Sequence, residues 1–170
     1  MHKVIDDFLD KEDFIFVHNL IMNEPFPWFY MDSYRESGLE KDKTNNFSYH
    51  LHMLYDNNVP SSPHFDNILP LIMKKIDVKT LIRVKINSYT KEDKLIEHDL
   101  HTDYDYSNNG AIFSINTCDG YTKLEDGTKI ESIENRLVTF NTNVQHTGST
   151  CTDSKERVVI NLNYFKDVNL

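Results

Sequence analysis

Cysteine is nearly absent from this 170-residue chain: Cys118 and Cys151 are the only two, and neither has a C-x-x-C partner. That excludes a disulfide-dense scaffold and a cysteine-based zinc site, while a single bridge between the two stays open. Two isolated thiols fit a reducing compartment. Long apolar runs are lacking too, and none approaches the roughly 18 residues of a membrane-spanning helix. The opening Met1-His2-Lys3-Val4-Ile5-Asp6-Asp7 turns acidic within a few residues, unlike a secretory signal. The expectation is an intracellular, cytoplasmic protein without a membrane partner. Basic charge is in deficit: 18 Lys and Arg face 27 Asp and Glu, a formal net charge of −9. The acids are spread along the chain, which argues against nucleic acid as a general partner but leaves room for a local basic groove. Repeats, low-complexity tracts and flexible linkers are missing, so residues 1–170 read as one domain. Nothing in the sequence specifies an oligomeric state.

What is present suits a packed core, with 39% hydrophobic and 12% aromatic residues, too much for global disorder. Residues 4–9 read as a strand or extended lead-in. Asp10, with Asp13 three residues on and then Phe14, Phe16, Val17, Leu20 and Ile21, predicts a capped helix over 11–22. Pro25 and Pro27 end it. The aromatic cluster at 26–30, around the sole tryptophan Trp28, reads as packing against a sheet more than as a substrate wall. Residues 35–46 are polar and read as a solvated loop. Residues 49–55 alternate, with Tyr49, Leu51, Met53 and Tyr55 on one face and His50, His52 and Asp56 near the other. Ile68, Leu69, Leu71, Ile72 and Ile76 predict a helix over 65–76, and Leu81, Val84 and Ile86 a strand over 80–89. Residues 1–79 thus read as helices and a strand buttressing a core at 80–165.

That core is a train of short strands. Residues 111–118 are apolar and β-prone, Asp119-Gly120 supplies a turn, and 121–125 are followed by the hairpin signal Asp126-Gly127. Residues 129–133, 137–140 and 158–165 continue the pattern. The fold expected is mainly β with flanking helices, an antiparallel barrel or two-sheet jelly roll.

The chemistry gathers at the two ends of this train. His101, Asp103 and His146 are two imidazoles and one carboxylate, the set that holds non-haem Fe(II) on one face and leaves the other positions open. On a strand, residues i and i+2 share a face, so His101 and Asp103 can reach one ion; His146 would come from a neighbouring strand. Roughly one H-x-D is expected by chance in a chain of this length. The rival His64-Phe65-Asp66 precedes a helical pattern, where Asp66 reads as a cap or first-turn acid. His50-x-His52 has no third ligand placed nearby. Eleven residues after His146, Arg157 opens a run in which Arg157, Val159, Asn161 and Asn163 share one face and Val158, Ile160, Leu162 and Tyr164 the other. A face bearing Arg and two Asn suits a polar barrel interior.

In order, Asn87-Ser88-Tyr89, His101-x-Asp103, residues 111–116, Gly120-Tyr121-Thr122, residues 137–140, His146-Thr147-Gly148 and residues 157–165 resemble the 2-oxoglutarate- and Fe(II)-dependent dioxygenases. The pattern is most like the prolyl 4-hydroxylase-like branch and is similar to short members associated with bacteriophages. The resemblance implies a double-stranded β-helix, Fe(II) on His101, Asp103 and His146, and the far carboxylate of 2-oxoglutarate on Arg157. It places Asn87 and Tyr89 around the cosubstrate, with Asn163 on the Arg157 face. Two positions depart from the pattern. Ser114 stands where the branch carries a cosubstrate-contacting tyrosine, and Val159 where many members carry Ser or Thr. His98, Tyr104 and Tyr106 flank the metal ligands and are candidates for substrate contact. The implied reaction consumes O2 and converts 2-oxoglutarate to succinate and CO2 while hydroxylating a substrate. Related halogenases replace the carboxylate ligand by a small residue, so Asp103 favours oxygenation. The substrate expected is a peptidyl proline or other protein side chain; a free amino acid or small metabolite, then a nucleobase, are the alternatives. A catalytically silent β-helix acting as a binding module is the reading from a different class.

Overall fold

The computed structural model describes residues 1–23, 25–32 and 48–166, so the loop expected at 35–46 lies outside the described residues. In chain order the elements are β1 (Lys3–Ile5), α1 (Lys11–Met22), β2 (Phe29–Asp32), β3 (Ser48–Asp56), β4 (Val59–Pro60), α2 (Phe65–Met73) and β5 (Val78–Thr90). There follow β6 (Asn109–Ser114), β7 (Tyr121–Leu124), β8 (Lys129–Glu131), β9 (Arg136–Asn141), β10 (His146–Gly148) and β11 (Glu156–Lys166). One large antiparallel sheet runs β1-β9-β6-β11-β5-β3-β2, with β4 paired to β3, and a small sheet runs β10-β7-β8. This is the two-sheet jelly roll expected from the strand train. Among the described residues no helix is long and apolar enough to cross a membrane.

Strand alternation on β11 sorts two cores. Val158, Ile160, Leu162 and Tyr164 join Val84, Ile86 and Phe113 beneath Val17 and Ile21 of α1 and Ile68, Leu69 and Ile72 of α2. Val159 points the other way, into a smaller core with Ile112, Val138 and Phe140 of the large sheet and Leu124 and Ile130 of the small one. The helices therefore cover one face of the large sheet and the small sheet covers the other. Arg157 and Asn163 share the inter-sheet side with Val159, as their spacing requires.

The first third of the chain does more than buttress, because β1 to β4 are hydrogen-bonded into the large sheet. Helix α1 has the expected bounds, but Asp10 makes no side-chain cap bond. Its carboxylate instead accepts from Lys75 Nζ at 3.0 Å, and Asp13 accepts from Lys74 Nζ at 2.9 Å. These pairs tie the start of α1 to the end of α2. Helix α2 closes at Met73, short of Ile76, which still reaches the core from the turn that follows.

On β3 the expected alternation breaks. A bulge lies between Met53 and Tyr55, so Tyr55 leaves the face of Tyr49, Leu51 and Met53 and packs on Phe65 of α2, ring centroids 5.7 Å apart. His52 is buried on the helix side. Its Nδ1 bonds Pro27 O at 2.8 Å, its Nε2 bonds Ser62 Oγ at 2.7 Å, and the Phe26 ring lies 4.5 Å away. Burial lowers its pKa and keeps it neutral. His64 is the N-cap position of α2 and stacks on Phe26 at 5.1 Å. Neither rival histidine pair is arranged as a ligand set. Of the aromatic cluster, Phe26 packs inward against Trp28, while Phe29 and Tyr30 are 62% and 65% exposed on the edge strand β2.

Strand β6 ends at Ser114, four residues earlier than the apolar run, because a side chain takes over the pairing. Asn116 Oδ1 accepts from Val158 N–H at 2.8 Å and its Nδ2 donates to Glu156 O at 2.7 Å. Gly127, at φ 87°, makes the β7–β8 turn as Asp126-Gly127 predicts. Cys118 and Cys151 are free and buried, and burial pushes the Cys151 thiol up to about 11.

Candidate active site

His101 and His146 face each other in an antiparallel β-bridge. His101 N–H donates to His146 O at 3.0 Å, His146 N–H returns the bond at 2.9 Å, and the ring centroids are 4.8 Å apart. Asp103 lies in a bend just beyond the bridge, so the H-x-D pair does not sit on a regular strand. The three side chains nonetheless converge, with one ligand atom of each within 4.8 Å of the others.

The tautomers follow from the partners. His101 Nδ1 lies 3.0 Å from Asp99 O, and His146 Nδ1 lies 3.3 Å from Val144 O. A carbonyl can only accept, so each Nδ1 carries the hydrogen and each Nε2 keeps its lone pair. His146 Nε2 is buried and has no hydrogen-bond partner. Asp103 Oδ2 stands 3.7 Å away, too far to bond it directly. Burial lowers the His146 pKa, against a smaller raising effect of Asp103. A neutral imidazole aiming an unsatisfied lone pair across a gap at a carboxylate is a fit for a metal ion.

Asp103 is held on both oxygens. Oδ1 accepts from Arg83 Nη2 at 3.1 Å and Oδ2 from Asn163 Nδ2 at 2.8 Å. Burial raises its pKa, but the Asn163 bond and the neighbouring Arg83 and Lys85 charges outweigh that and keep it ionised. Asn163, placed around the cosubstrate on sequence grounds, thus touches a ligand-set residue. Nothing in the sequence signals that Arg83 meets Asp103. The register partner of Arg83 on β11 is Asn163, and that pairing is invisible without knowing which strands are neighbours.

Arg157 is 2% exposed, among the largest fully buried side chains. Nε donates to Ser132 Oγ at 2.6 Å, Nη1 to Ser149 O at 3.3 Å and Nη2 to Thr122 Oγ1 at 3.0 Å. Among the described residues no carboxylate pairs with it, and burial alone pulls its pKa down. A desolvated guanidinium bonded only to neutral groups calls for an anion. Two glycines make room for it. A Cβ on Gly120 would lie 2.6 Å from Arg157 Cδ and 2.6 Å from Thr150 O, and one on Gly148 would lie 3.0 Å from Arg157 Nη1. Gly120→Ala is therefore expected to destabilise the protein by about 1–3 kcal/mol through overpacking against backbone, read as a lower urea midpoint.

By sequence, no family profile and no curated protein matches the chain. Solved structures do. A prolyl hydroxylase from Trichoplax adhaerens, in complex with a hypoxia inducible factor oxygen degradation domain peptide fragment, aligns at TM-score 0.65 and 14% identity, over 97% of this chain and 83% of that one. A 2OG-Fe(II) oxygenase family oxidoreductase from Burkholderia pseudomallei aligns at TM-score 0.66 and 11% identity, over 98% and 85%. The epimerase SnoN, in complex with Fe3+, alpha ketoglutarate and nogalamycin RO, aligns at TM-score 0.59 and 8% identity, over 97% and 78%. The chain has the 2-oxoglutarate–Fe(II) oxygenase fold.

Within this oxygenase fold the remaining candidates fall into two groups. Asn87, Tyr89 and Ser114 lie on the inter-sheet face by Arg157, since Tyr89 pairs Arg157 in register while Asn87 and Ser114 flank Val159. Asn87 Nδ2 donates to Tyr89 Oη at 3.0 Å, and the Tyr89 ring lies 5.8 Å from the guanidinium carbon. His98 packs on Tyr89, ring centroids 5.1 Å apart, at this same end. Tyr104 and Tyr106 belong to the other group. Tyr104 covers the Arg83 guanidinium at 5.3 Å, meets Tyr106 in a tilted pair at 5.1 Å, and Tyr106 meets Phe165 at 6.2 Å, where both are exposed.

Burial, reinforced by Arg157 and His101, drops the His98 pKa to about 3. The unfolded chain takes up this proton near the ordinary histidine value, so folding is opposed as pH falls from there toward the folded value. His98→Gln is expected to flatten the acid-side loss of stability by about 1–2 kcal/mol between pH 7 and pH 5, measured by urea unfolding at both pH values. His52 and His146 titrate in the same direction in both proteins, so the difference reports His98.

Proposed function

We propose that the protein is an Fe(II)- and 2-oxoglutarate-dependent oxygenase that hydroxylates a protein side chain, with peptidyl proline the first candidate. The observation that carries this is the conjunction of two sites on one inter-sheet face. The first is an unsatisfied His146 Nε2 facing Asp103 and His101. The second is a buried Arg157 without a carboxylate partner among the described residues.

In this reading His101 Nε2, His146 Nε2 and Asp103 Oδ2 hold the metal. When bound, Fe(II) supplies the oxidation, with 2-oxoglutarate leaving as succinate and CO2 and one atom of O2 going to the substrate. Arg157 takes the far carboxylate of 2-oxoglutarate by its free N–H groups, fixing direction as well as charge. Tyr89 and Asn87 wall the cosubstrate beside it. The apolar wall of Ile112, Val138, Phe140 and Val159 keeps water from the reacting end. Tyr104 and Tyr106, outside Arg83, offer ring faces to an incoming substrate. The peptide reading is supported by the peptide held in the Trichoplax adhaerens prolyl hydroxylase. A small-molecule substrate is the second reading, supported by the nogalamycin RO bound in SnoN.

The test is turnover of Fe(II), 2-oxoglutarate and labelled O2 with proline peptides and small metabolites, followed by mass spectrometry. One labelled oxygen per product and stoichiometric succinate are expected. Because Asp103 occupies the position a halide would need, no chlorinated product is expected in high chloride. Absence of succinate in every mixture, with iron demonstrably bound, would leave a binding module.

A further inference from the structure

We infer that Arg83 is a positioning residue that fixes Asp103 as a one-oxygen metal ligand. The inference rests on the metal reading above and concerns how that site is kept open. The two histidines need no outside help, because each is anchored through its own Nδ1 to a carbonyl two residues upstream. Asp103 has no such local anchor. It lies in a bend outside any strand, and its orientation comes from side chains of the large sheet. Arg83 and Asn163 are register partners on β5 and β11, both on the inter-sheet face. They grip the carboxylate from one side, with Arg83 Nη2 on Oδ1 at 3.1 Å and Asn163 Nδ2 on Oδ2 at 2.8 Å. Arg83 Nη2 also lies 3.5 Å from Asn163 Oδ1, closing the three groups into a ring.

The two oxygens are not equivalent. Oδ2 is the one 3.7 Å from His146 Nε2 and so would face an ion held there. Oδ1 is the one engaged by the guanidinium. If both oxygens bound the metal they would occupy two coordination positions, and one of those needed for 2-oxoglutarate or O2 would be lost. Arg83 prevents this by engaging Oδ1. The guanidinium holds that pose although its Nε is left buried without a hydrogen-bond partner. The Tyr104 ring, 5.3 Å from its central carbon, braces the other side.

The sign of one measurement separates positioning from bare electrostatics. A cation this close to the site repels a divalent metal, so by charge alone removing Arg83 should tighten metal binding. By positioning, removal should weaken it. Co(II) is titrated into the parent, Arg83→Lys and Arg83→Met, with circular dichroism confirming that each is folded. For Arg83→Met the Co(II) Kd is expected to rise by about 10- to 100-fold, with a changed d–d spectrum as the unanchored carboxylate leaves its fixed one-oxygen pose. Arg83→Lys, which keeps a donor and the charge, should fall between. In an Asp103→Ala background, Arg83→Met should cost nothing further. Equal or tighter binding by Arg83→Met overturns the inference, and so does a further loss in the Asp103→Ala background, which would mean that Arg83 acts through the barrel. A parent that binds no Co(II) overturns the metal reading itself, and this inference with it.

Discussion

Arg157→Leu is expected to weaken 2-oxoglutarate binding by about 30- to 1000-fold, the loss of a charge-assisted fork worth roughly 2–4 kcal/mol. Three of its N–H groups are already engaged by Ser132, Ser149 and Thr122, which orients the guanidinium and leaves its other donors for a carboxylate. Little reorganisation is required, since the side chain is walled by Gly120, Gly148 and Tyr89. Anaerobic titration of 2-oxoglutarate into the Fe(II)-loaded protein, followed by the metal-to-ligand absorption band, reads the affinity directly. Iron binding should persist, because none of Arg157's partners is a metal ligand. In the parent, cosubstrate at a hundred times its Kd should raise stability by about 2.7 kcal/mol, and at the same concentration in Arg157→Leu that shift should fall to about 0.9 kcal/mol or less. Parental affinity in the variant would make Arg157 a bystander.

His146→Ala is expected to abolish measurable Fe(II) binding, a loss beyond the roughly 10- to 100-fold typical of outer-sphere partners. The metal-free variant should lose less stability than its burial suggests, because the substitution also deletes an unsatisfied buried nitrogen. His52→Ala is the instructive contrast. It removes a buried ring with two hydrogen bonds and should destabilise the protein by about 2–4 kcal/mol while leaving iron affinity intact. His64→Ala should also retain iron. Equilibrium dialysis with iron quantification, paired with urea melts, separates the two effects. Loss of iron in His64→Ala alone would place the metal at His64-x-Asp66 instead.

The parts of this structure legible in the sequence are those set by local period. Alternation on β11 placed Arg157 and Asn163 on the polar side, and Asp126-Gly127 marked its hairpin because only a permissive residue suits φ 87°. What stayed hidden depends on which strands meet. Arg83 looks like any charged strand residue until β5 is laid beside β11. Gly120 looks like a turn glycine, and Gly148 like the end of the His146-Thr147-Gly148 run, until Arg157 is seen lying against both. His50-x-His52 has the same spacing as His101-x-Asp103, yet His52 spends both nitrogens on Pro27 and Ser62. The bulge after Met53 and the relief of β6 by Asn116 both replace backbone pairing with something a propensity pattern does not encode.

Between β5 and β6 the chain crosses to the small sheet and back without a regular strand. Its backbone is fastened there by isolated bridges, Lys91 to Cys151, Glu97 to Ser149 and His101 to His146. Such a segment has few cooperative neighbours and should open more readily than the sheets. The last bridge is special because both of its residues are proposed to grip the same ion. Metal would then act as a buckle on the strap, and without it the strap should be where, among the described residues, a protease first cuts. Brief trypsin digestion of metal-free protein is expected to nick at Lys91 or Lys94, with Co(II) slowing those cuts, while sites within β11 stay protected in both forms.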